Sequence, residues 1–502
     1  MSLRASVETP LTPEQKEIVE FEEDLLVLAG PGCGKTFTLL EKVKRLLERG
    51  HNPEKILLLT FSLKVSQELK EKLKKSGLSH IKVDTFHGLA YDLWRDYYNH
   101  PPKLLSEEER GEILKKLYPG VKNPLKSPLE KQKYYEYLEK NKLLDFDFLL
   151  VKASELPLDF QNYFLFIDEF QDLSPEILKF LASLKDAVFY LFGDPNQCLY
   201  GFKGVNLAGI KEFLSKHKET MKTLTLSQSF RCPQEILHIA KRFHSSPWVI
   251  PDFKSHKKGG ILQGFILPDE KEERTFLLSL CYQLLGGLSL ERAHHHHIAP
   301  SEIFILSRIR KVSEPLKELF LREGIPVAFP EEEALNWKEA LQSLSHRLET
   351  SPLPFEEICK TLSPQLQNIL SNWYELWARD KEKLISFLKG IELYDLVQPS
   401  LEGINFLTIH ASKGLEAEVV ILLGAEEGLI PLKIFQDVDL EEEKRILYVG
   451  LTRTKRAFYF TATKSRRLFQ HHLNQGLSGW LKDLPVKEFS KRPPSPKQRG
   501  LF

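Results

Sequence analysis

The sequence predicts an α/β fold built on parallel sheets, and three observations carry that prediction. Leu25 to Thr38, LLVLAGPGCGKTFT, is a short apolar run that breaks into glycines and restarts as an amphipathic helix from about Thr36 to Glu48. Further short apolar runs, KILLLTFS, NYFLFIDE and AVFYLFGD among them, recur between helical stretches, as strands buried on both faces do. Two long helical stretches, about Leu89 to Phe160 and about Pro330 to Ser400, interrupt the alternation and read as insertions.

The bulk numbers set the frame. A chain of 502 residues exceeds one core, so two to four domains are expected. Lys plus Arg is 70 against 69 for Asp plus Glu, so net charge selects no partner and a polyanion must be held by local patches. No apolar run is long enough to span a bilayer, and MSLRASVETP lacks the apolar centre of a signal peptide, so a cytoplasmic protein is expected. Five cysteines, at 33, 198, 232, 281 and 359, show no CxxC pairing and read as unpaired thiols in a reducing compartment. Three of them fall in stretches assigned below to the nucleotide, which leaves two readings, oxidation-sensitive thiols or inert packing residues. His294 to His297 read as a solvated run rather than a metal site.

In chain order, LTPEQKEIVEF places Thr12 as a helix cap with Pro13 at the first helical position and Gln15 in the first turn. The amide of Gln15 has a donor and an acceptor for one adenine edge. In the loop that follows the first strand, Gly30, Gly32 and Gly34 let backbone NH groups turn onto an anion. Lys35 reaches the terminal phosphates and the Thr36 hydroxyl is a Mg²⁺ ligand. Ala29, Pro31, Cys33 and Phe37 complete the stretch expected to touch the nucleotide, Ala29 standing where the usual pattern has Gly.

KILLLTFS and IKVDTFHG are the next strands, and ligands of open parallel sheets bind at such carboxyl ends, which places Phe61, Thr85 and His87 for contact. The first insertion mixes Tyr with Lys and Glu, so Tyr134, Tyr135 and Tyr137 are either a nucleic-acid surface or the insertion's own core. The strand FLFID ends in Asp168 and Glu169, where an Asp holds Mg²⁺ and a Glu takes the proton of an attacking water. AVFYLFGDPNQCLYGFKG repeats the theme with Gln197, Tyr200 and Phe202 in its loop, and Arg231 stands between strand TLTLSQSF and helix RCPQEILHIAKRF.

The ordered series AGPGCGKT, TFSLKVSQEL, DTFHGLA, IDEFQDL, GDPNQCLYGF, LSQSFRCPQEI, FLTIHASKGLEAEVVIL and EEEKRILYVGLTRTKRAF resembles the motif set of superfamily-one DNA helicases of the UvrD/Rep/PcrA type. The resemblance runs from Leu11 to about Thr461 and implies two RecA-like P-loop domains facing each other across ATP. These would be residues 1–88 with 161–223 and 224–329 with 401–486, with helical insertions at 89–160 and 330–400 shorter than in full-size relatives. It further implies Lys35 and Thr36 on phosphate and Mg²⁺, Asp168 on the metal, Glu169 as general base and Gln197 as γ-phosphate sensor. Gln15 and Phe230 would hold adenine, Arg231 and Arg453 would reach the γ-phosphate, and Glu416 would lie near the sugar and the catalytic centre. Single-stranded DNA would cross Phe61, Thr85, His87, Tyr200, Phe202, Thr408 and His410.

The implied activity is an ATP- and Mg²⁺-dependent, 3′ to 5′ DNA translocase and helicase of replication or repair. An RNA helicase and a slowly turning nucleotide-switched DNA- or clamp-binding module stay open as alternatives. Residues 487–502 read as an extended basic, Pro-rich tail. Its end, Gln498 to Phe502, resembles the bacterial sliding-clamp peptide QxxLF, with Gln498, Leu501 and Phe502 as the clamp-binding side chains.

Overall fold

The computed structural model describes residues 10–184, 186–201, 204–250, 252–286, 298–351, 353–434 and 438–489. Phe202, His294 to His297 and the clamp-like residues Gln498, Leu501 and Phe502 lie outside them. Six strands, β1 (Leu25–Ala29), β2 (Ile56–Thr60), β3 (Lys82–Thr85), β4 (Phe164–Asp168), β5 (Val188–Gly193) and β6 (Lys222–Leu226), form a parallel sheet of order β3-β2-β4-β5-β1-β6. Strands β1, β2 and β4 are buried at every residue, so their sequences show apolar runs instead of alternation.

Side chains still sort by strand period. Leu25 and Val27 join one core with residues of α1 (Pro13–Glu20), α2 (Lys35–Glu48) and α3 (Leu63–Lys75). Leu26 and Leu28 face the other, with α4 (Phe86–Tyr98). In the first insertion, α5 (Glu107–Leu117), α6 (Pro128–Lys140) and α7 (Phe146–Ala153) close over a small core of Tyr134, Leu138, Phe148 and Val151. Tyr134 is fully buried and donates to Asp145 Oδ2 at 2.9 Å, while Tyr135 donates to Glu176 Oε1 at 3.1 Å, so of the two readings of these tyrosines the structure supports core packing for both. The chain then returns through β4, α8 (Pro175–Ser183), β5 and α9 (Leu207–His217) to β6.

Strand β6 overturns one expectation. Residues 224–226 pair with β1 at the edge of the first sheet rather than opening the second unit. A two-residue pairing of β7 (Gln228–Ser229) with β8 (Lys254–Ser255) and helix α10 (Gln234–Ala240) then lead to the second sheet. That sheet holds β9 (Ile261–Asp269), β10 (Ile303–Ser307), β11 (Val327–Ala328), β12 (Ile404–Thr408), β13 (Ala417–Leu423), β14 (Thr454–Leu468) and β16 (Val486–Glu488), parallel in the order β11-β12-β10-β13-β14-β9-β16. The short β15 (His471–Leu473) runs antiparallel to β14. Helices α11 (Glu270–Leu284) and α12 (Glu314–Arg322) supply its packing, and α18 (Leu440–Thr452) leads into β14. Among the described residues no helix is long and apolar enough to cross a membrane.

The second insertion comprises α13 (Pro330–Thr350), α14 (Phe355–Cys359), α15 (Pro364–Leu376), α16 (Lys381–Lys389) and α17 (Leu393–Leu396). It springs from the second sheet, between β11 and β12, yet it is fastened to the first unit. Lys383 Nζ lies 2.8 Å from Asp84 Oδ2 and 2.9 Å from Asp92 Oδ1, and Trp377 Nε1 donates to Asp84 Oδ1 at 3.0 Å. The Lys383 and Asp84 side chains are only 3% and 2% exposed. Removing one partner of such a pair leaves uncompensated buried charge, which costs about 3–5 kcal/mol. Lys383→Met is therefore expected to lower the melting temperature markedly in calorimetry, and an unchanged transition would refute a structural role for this pair.

Candidate active site

The phosphate loop is shaped by backbone that only glycine adopts freely. Gly32 and Gly34 have φ of 68° and 76°, and a Cβ on Gly32 would stand 2.3 Å from Arg231 Cβ. The segment after β6 closes on the loop from the side: Phe230 N donates to Gly32 O at 2.9 Å and Ser229 Oγ to Pro31 O at 2.7 Å. Gln15 is 3% exposed, and its Oε1 accepts from Thr12 N at 2.9 Å in a capping box that fixes the side chain. A Cβ on Gly34 would meet Gln15 Nε2 at 3.1 Å and the Phe230 ring at 3.7 Å, so the two residues expected to hold adenine flank one glycine. Phe230 is half exposed there, an apolar face at the mouth of the loop.

Lys35, the first residue of α2, places Nζ 2.5 Å from Glu169 Oε1. Glu169 follows β4 in a left-handed conformation, φ 56°, an unusual backbone for a side-chain-bearing residue that turns its carboxylate to the loop. Its other oxygen accepts from Gln171 Nε2, and Gln171 Oε1 in turn accepts from Asp194 N at 3.1 Å. Burial works against charge on Glu169, but Lys35 and Lys413 outweigh it and hold the carboxyl below its usual range. Asp168 moves the other way, raised by burial and then by Glu169 despite Lys35. A carboxyl so placed gains from a cation, and Asp168 with the Thr36 hydroxyl gives the hard oxygen donors that Mg²⁺ takes alongside substrate phosphates.

The second unit reaches the same place. Arg453, at the end of α18 and 1% exposed, donates from Nη2 to Gln197 Oε1 at 3.0 Å, from Nη1 to Leu415 O at 3.2 Å and from Nε to Val449 O at 3.0 Å. Gln197 Nε2 donates to Asp194 Oδ2 at 2.9 Å, and Tyr448 OH donates to the same oxygen at 2.8 Å. Arg231 Nε lies 2.6 Å from Glu416 Oε2, whose partner oxygen is 2.7 Å from Lys455. Lys413 Nζ pairs with both Asp172 oxygens at 2.5 and 2.7 Å and lies 4.7 Å from the centre of the Tyr200 ring. One cation thus touches the carboxylate three residues after Glu169 and an aromatic of the expected strand path.

Arranged this way, the two sheets hold between them a phosphate loop, a lysine, two adjacent carboxylates, a glutamine and two arginines. Residues 11–127 and 122–218 match the UvrD/REP helicase N-terminal domain, and residues 336–465 the UvrD-like helicase C-terminal domain. The chain belongs to the UvrD/REP helicase family. Among its relatives is the protein named ATP-dependent DNA helicase PcrA of Staphylococcus aureus strain Mu50, 26% identical with 95% of this chain and 86% of the relative aligned. The PcrA of S. epidermidis strain RP62A is 25% identical over the same shares. These alignments span 633 positions, more than the 502 residues of this UvrD/REP-type chain, so the relatives carry internal residues that it lacks.

The residues expected on the nucleic-acid face of this UvrD/REP-type chain fall into two groups. Phe61 and Tyr200 are together, ring centres 5.4 Å apart and planes 23° apart, and both are half-buried. His87 packs edge-on to Phe146 at 5.7 Å. Thr85 is 3% exposed and caps α4 by accepting from Gly88 N at 2.9 Å, and the Thr408 hydroxyl donates to Glu331 at 3.0 Å, so both hydroxyls have structural partners. Burial, then Arg308 and Lys413, depress His410 to about 3, which keeps it neutral. The five cysteines are free and buried, and burial pushes the thiols of Cys33, Cys198 and Cys232 up, which favours the inert reading. Tyr448, Gln171 and the Lys413 to Asp172 pair were not foreseen. They stand inside recognised motifs, but no spacing along the chain joins residue 172 to residue 413.

Proposed function

We propose that this chain is an ATP-dependent DNA helicase and single-stranded DNA translocase that moves 3′ to 5′ and serves replication or repair in the cytoplasm. The relatives' name supports the helicase activity. The observation that carries the mechanism is the Arg453 to Gln197 hydrogen bond, which joins the end of α18 to the loop after β5 beside the paired Lys35 and Glu169.

Phosphate oxygens of ATP compete for Lys35, and Glu169, released from that pair, is the base that accepts the proton of the attacking water. Asp168 and Thr36 are the residues that would hold Mg²⁺, which neutralises charge on the phosphates when bound. Gln15 and Phe230 hold adenine. Gln197, Arg231 and Arg453 face the γ-phosphate, and because Arg453 belongs to the opposite sheet its contact couples turnover to relative movement of the two units. Glu416, near the sugar and the catalytic centre, bridges Arg231 and Lys455 and orients that arginine. Bases stack on Phe61, Tyr200 and Phe202, with His87 and His410 beside them and Thr85 and Thr408 shaping the strand ends.

We read residues 1–88 with 161–226 as the first RecA-like unit and 227–329 with 401–486 as the second. Both insertions are compact, in keeping with the longer span of the aligned relatives. ATP turnover with and without single-stranded DNA, together with unwinding of 3′-tailed and 5′-tailed duplexes, tests the whole reading. Stimulation by DNA and unwinding of the 3′-tailed duplex are expected. Stimulation by RNA alone favours an RNA helicase, and no stimulation by either favours the slow switch.

The tail end QRGLF supports a sliding-clamp partner. Deleting Gln498 to Phe502 is expected to leave ATP turnover intact and to weaken binding to a bacterial clamp at least tenfold in surface plasmon resonance. An unchanged clamp affinity refutes the partner.

A further inference from the structure

Phe61 has a second aromatic neighbour that nothing above assigns to DNA. Tyr394, from α17 of the second insertion, places its ring 5.3 Å from that of Phe61 with planes 30° apart, and 5.9 Å from that of Tyr200. The three rings form one cluster, all of them half-buried, in which Phe61 stacks on each tyrosine and the two tyrosines are tilted 50° to one another. They come from three places in the chain: the end of β2, the loop after β5 and the helical insertion of the other sheet.

Tyr394 is held in position. The next residue, Asp395, accepts from Leu63 N at 2.8 Å, Leu396 is fully buried, and Val397 O accepts from Lys64 Nζ at 2.7 Å. Leu63 and Lys64 directly follow Phe61 and Ser62 in sequence, so the contact that anchors α17 sits beside the ring it stacks on. The buried Lys383 with Asp84 and Asp92 fastens the same insertion one helix earlier. Tyr394 is thus fixed to the first unit, not trailing from the second.

A cavity of about 420 Å³ opens beside the cluster, with Phe61, His87, Phe146, Phe387 and Tyr394 in its wall. That size suits a small planar ligand. Its wall carries six carboxylates, Asp145 and Glu176 among them, against Arg110, Lys126 and Lys131; Asp145 and Glu176 are paired with Arg110 and Lys131 at 3.1 and 2.7 Å, so a phosphate has little to gain there. An aromatic wall in a net acidic cavity is suited to the face of a neutral base and not to the phosphate backbone.

We propose that Tyr394 is a nucleobase-stacking residue, so that the second insertion supplies one wall of the single-strand passage opposite Phe61. This rests on the DNA-binding reading above. When a strand enters, the Phe61 and Tyr394 rings part by one base thickness and the base takes the place each ring now gives the other. The shortened insertion is then retained for grip on the single strand.

The test is binding of a fluorescein-labelled oligo(dT) by anisotropy to the full chain and to Tyr394→Ala, Tyr394→Phe and Tyr394→Trp. Stacking of one base corresponds to a Kd weakened about 5- to 100-fold in Tyr394→Ala. Tyr394→Phe is expected to restore near wild-type affinity, and the indole of Tyr394→Trp to be quenched by oligo(dT) beyond the quench of the parent chain. A merely structural tyrosine gives no such added quench, which keeps the test decisive if the alanine variant folds poorly. Wild-type affinity in Tyr394→Ala overturns the inference. Tighter binding by Tyr394→Ala also overturns it, because the ring would then be a cover that must leave. Failure of the parent chain to bind oligo(dT) overturns the DNA reading itself, and with it this one.

Discussion

Glu169→Gln is expected to hold ATP with near wild-type affinity and to turn it over about 10² to 10⁴ times more slowly in saturating single-stranded DNA. The substitution keeps the size of the side chain and its bond to Gln171, and it removes the charge that Lys35 pairs with at 2.5 Å. What is lost is the proton acceptor. Glu169 is suited to that role because Lys35 and Lys413 hold it ionised against the cost of burial, while its left-handed backbone carries it away from Asp168 and toward the loop. The two adjacent carboxyls are pushed apart in acidity by their surroundings, as the proposed division into a base and a metal ligand requires. Phosphate release, paired with equilibrium binding of a fluorescent ATP analogue, checks the claim. Unchanged turnover would move the base elsewhere, and lost nucleotide binding would make the Lys35 pair structural.

Much of this site was legible because its chemistry is local in sequence. The phosphate loop needs glycine at left-handed positions, Lys35 must open the following helix, and Asp168 with Glu169 must end a strand, so each piece leaves a mark within a few residues. Strands buried on both faces were legible for a similar reason, since a run such as Ile56–Thr60 has no solvent face to break it. Strand β6 was misassigned because a short Thr-rich edge strand looks the same from either sheet, and only its register with β1 decides. Thr85 was read as a ligand from its place at a strand end and Thr408 from the family resemblance. Their hydroxyls have partners only the tertiary structure shows, a backbone amide of α4 for one and Glu331 of α13 for the other. The docking of the second insertion on the first unit left no trace at all, because Lys383 meets Asp84 across 299 residues of chain.

Arg453→Lys is expected to reduce DNA-stimulated turnover about 10³-fold or more, the scale on which an arginine reaching a transferring phosphoryl group acts. Lysine keeps the positive charge, so the loss isolates the planar fork. Burial, then Arg231, lower the pKa of Arg453 to about 10, which leaves it charged at neutral pH yet expensive to keep unpaired. Its partners Val449 O and Leu415 O fix the side chain to the second unit, and Gln197 is its bond to the first. A lysine satisfies only part of that set. If Arg453 serves turnover through Gln197, then Gln197→Ala and Arg453→Lys combined fall no further than the worse single variant, because both remove one shared contact. If the arginine only holds the units together, all variants lose melting temperature and nucleotide binding in step with turnover. A fall in kcat with KM and melting temperature preserved would place its action at the γ-phosphate. That outcome would make the closing of one sheet on the other the event that fires hydrolysis.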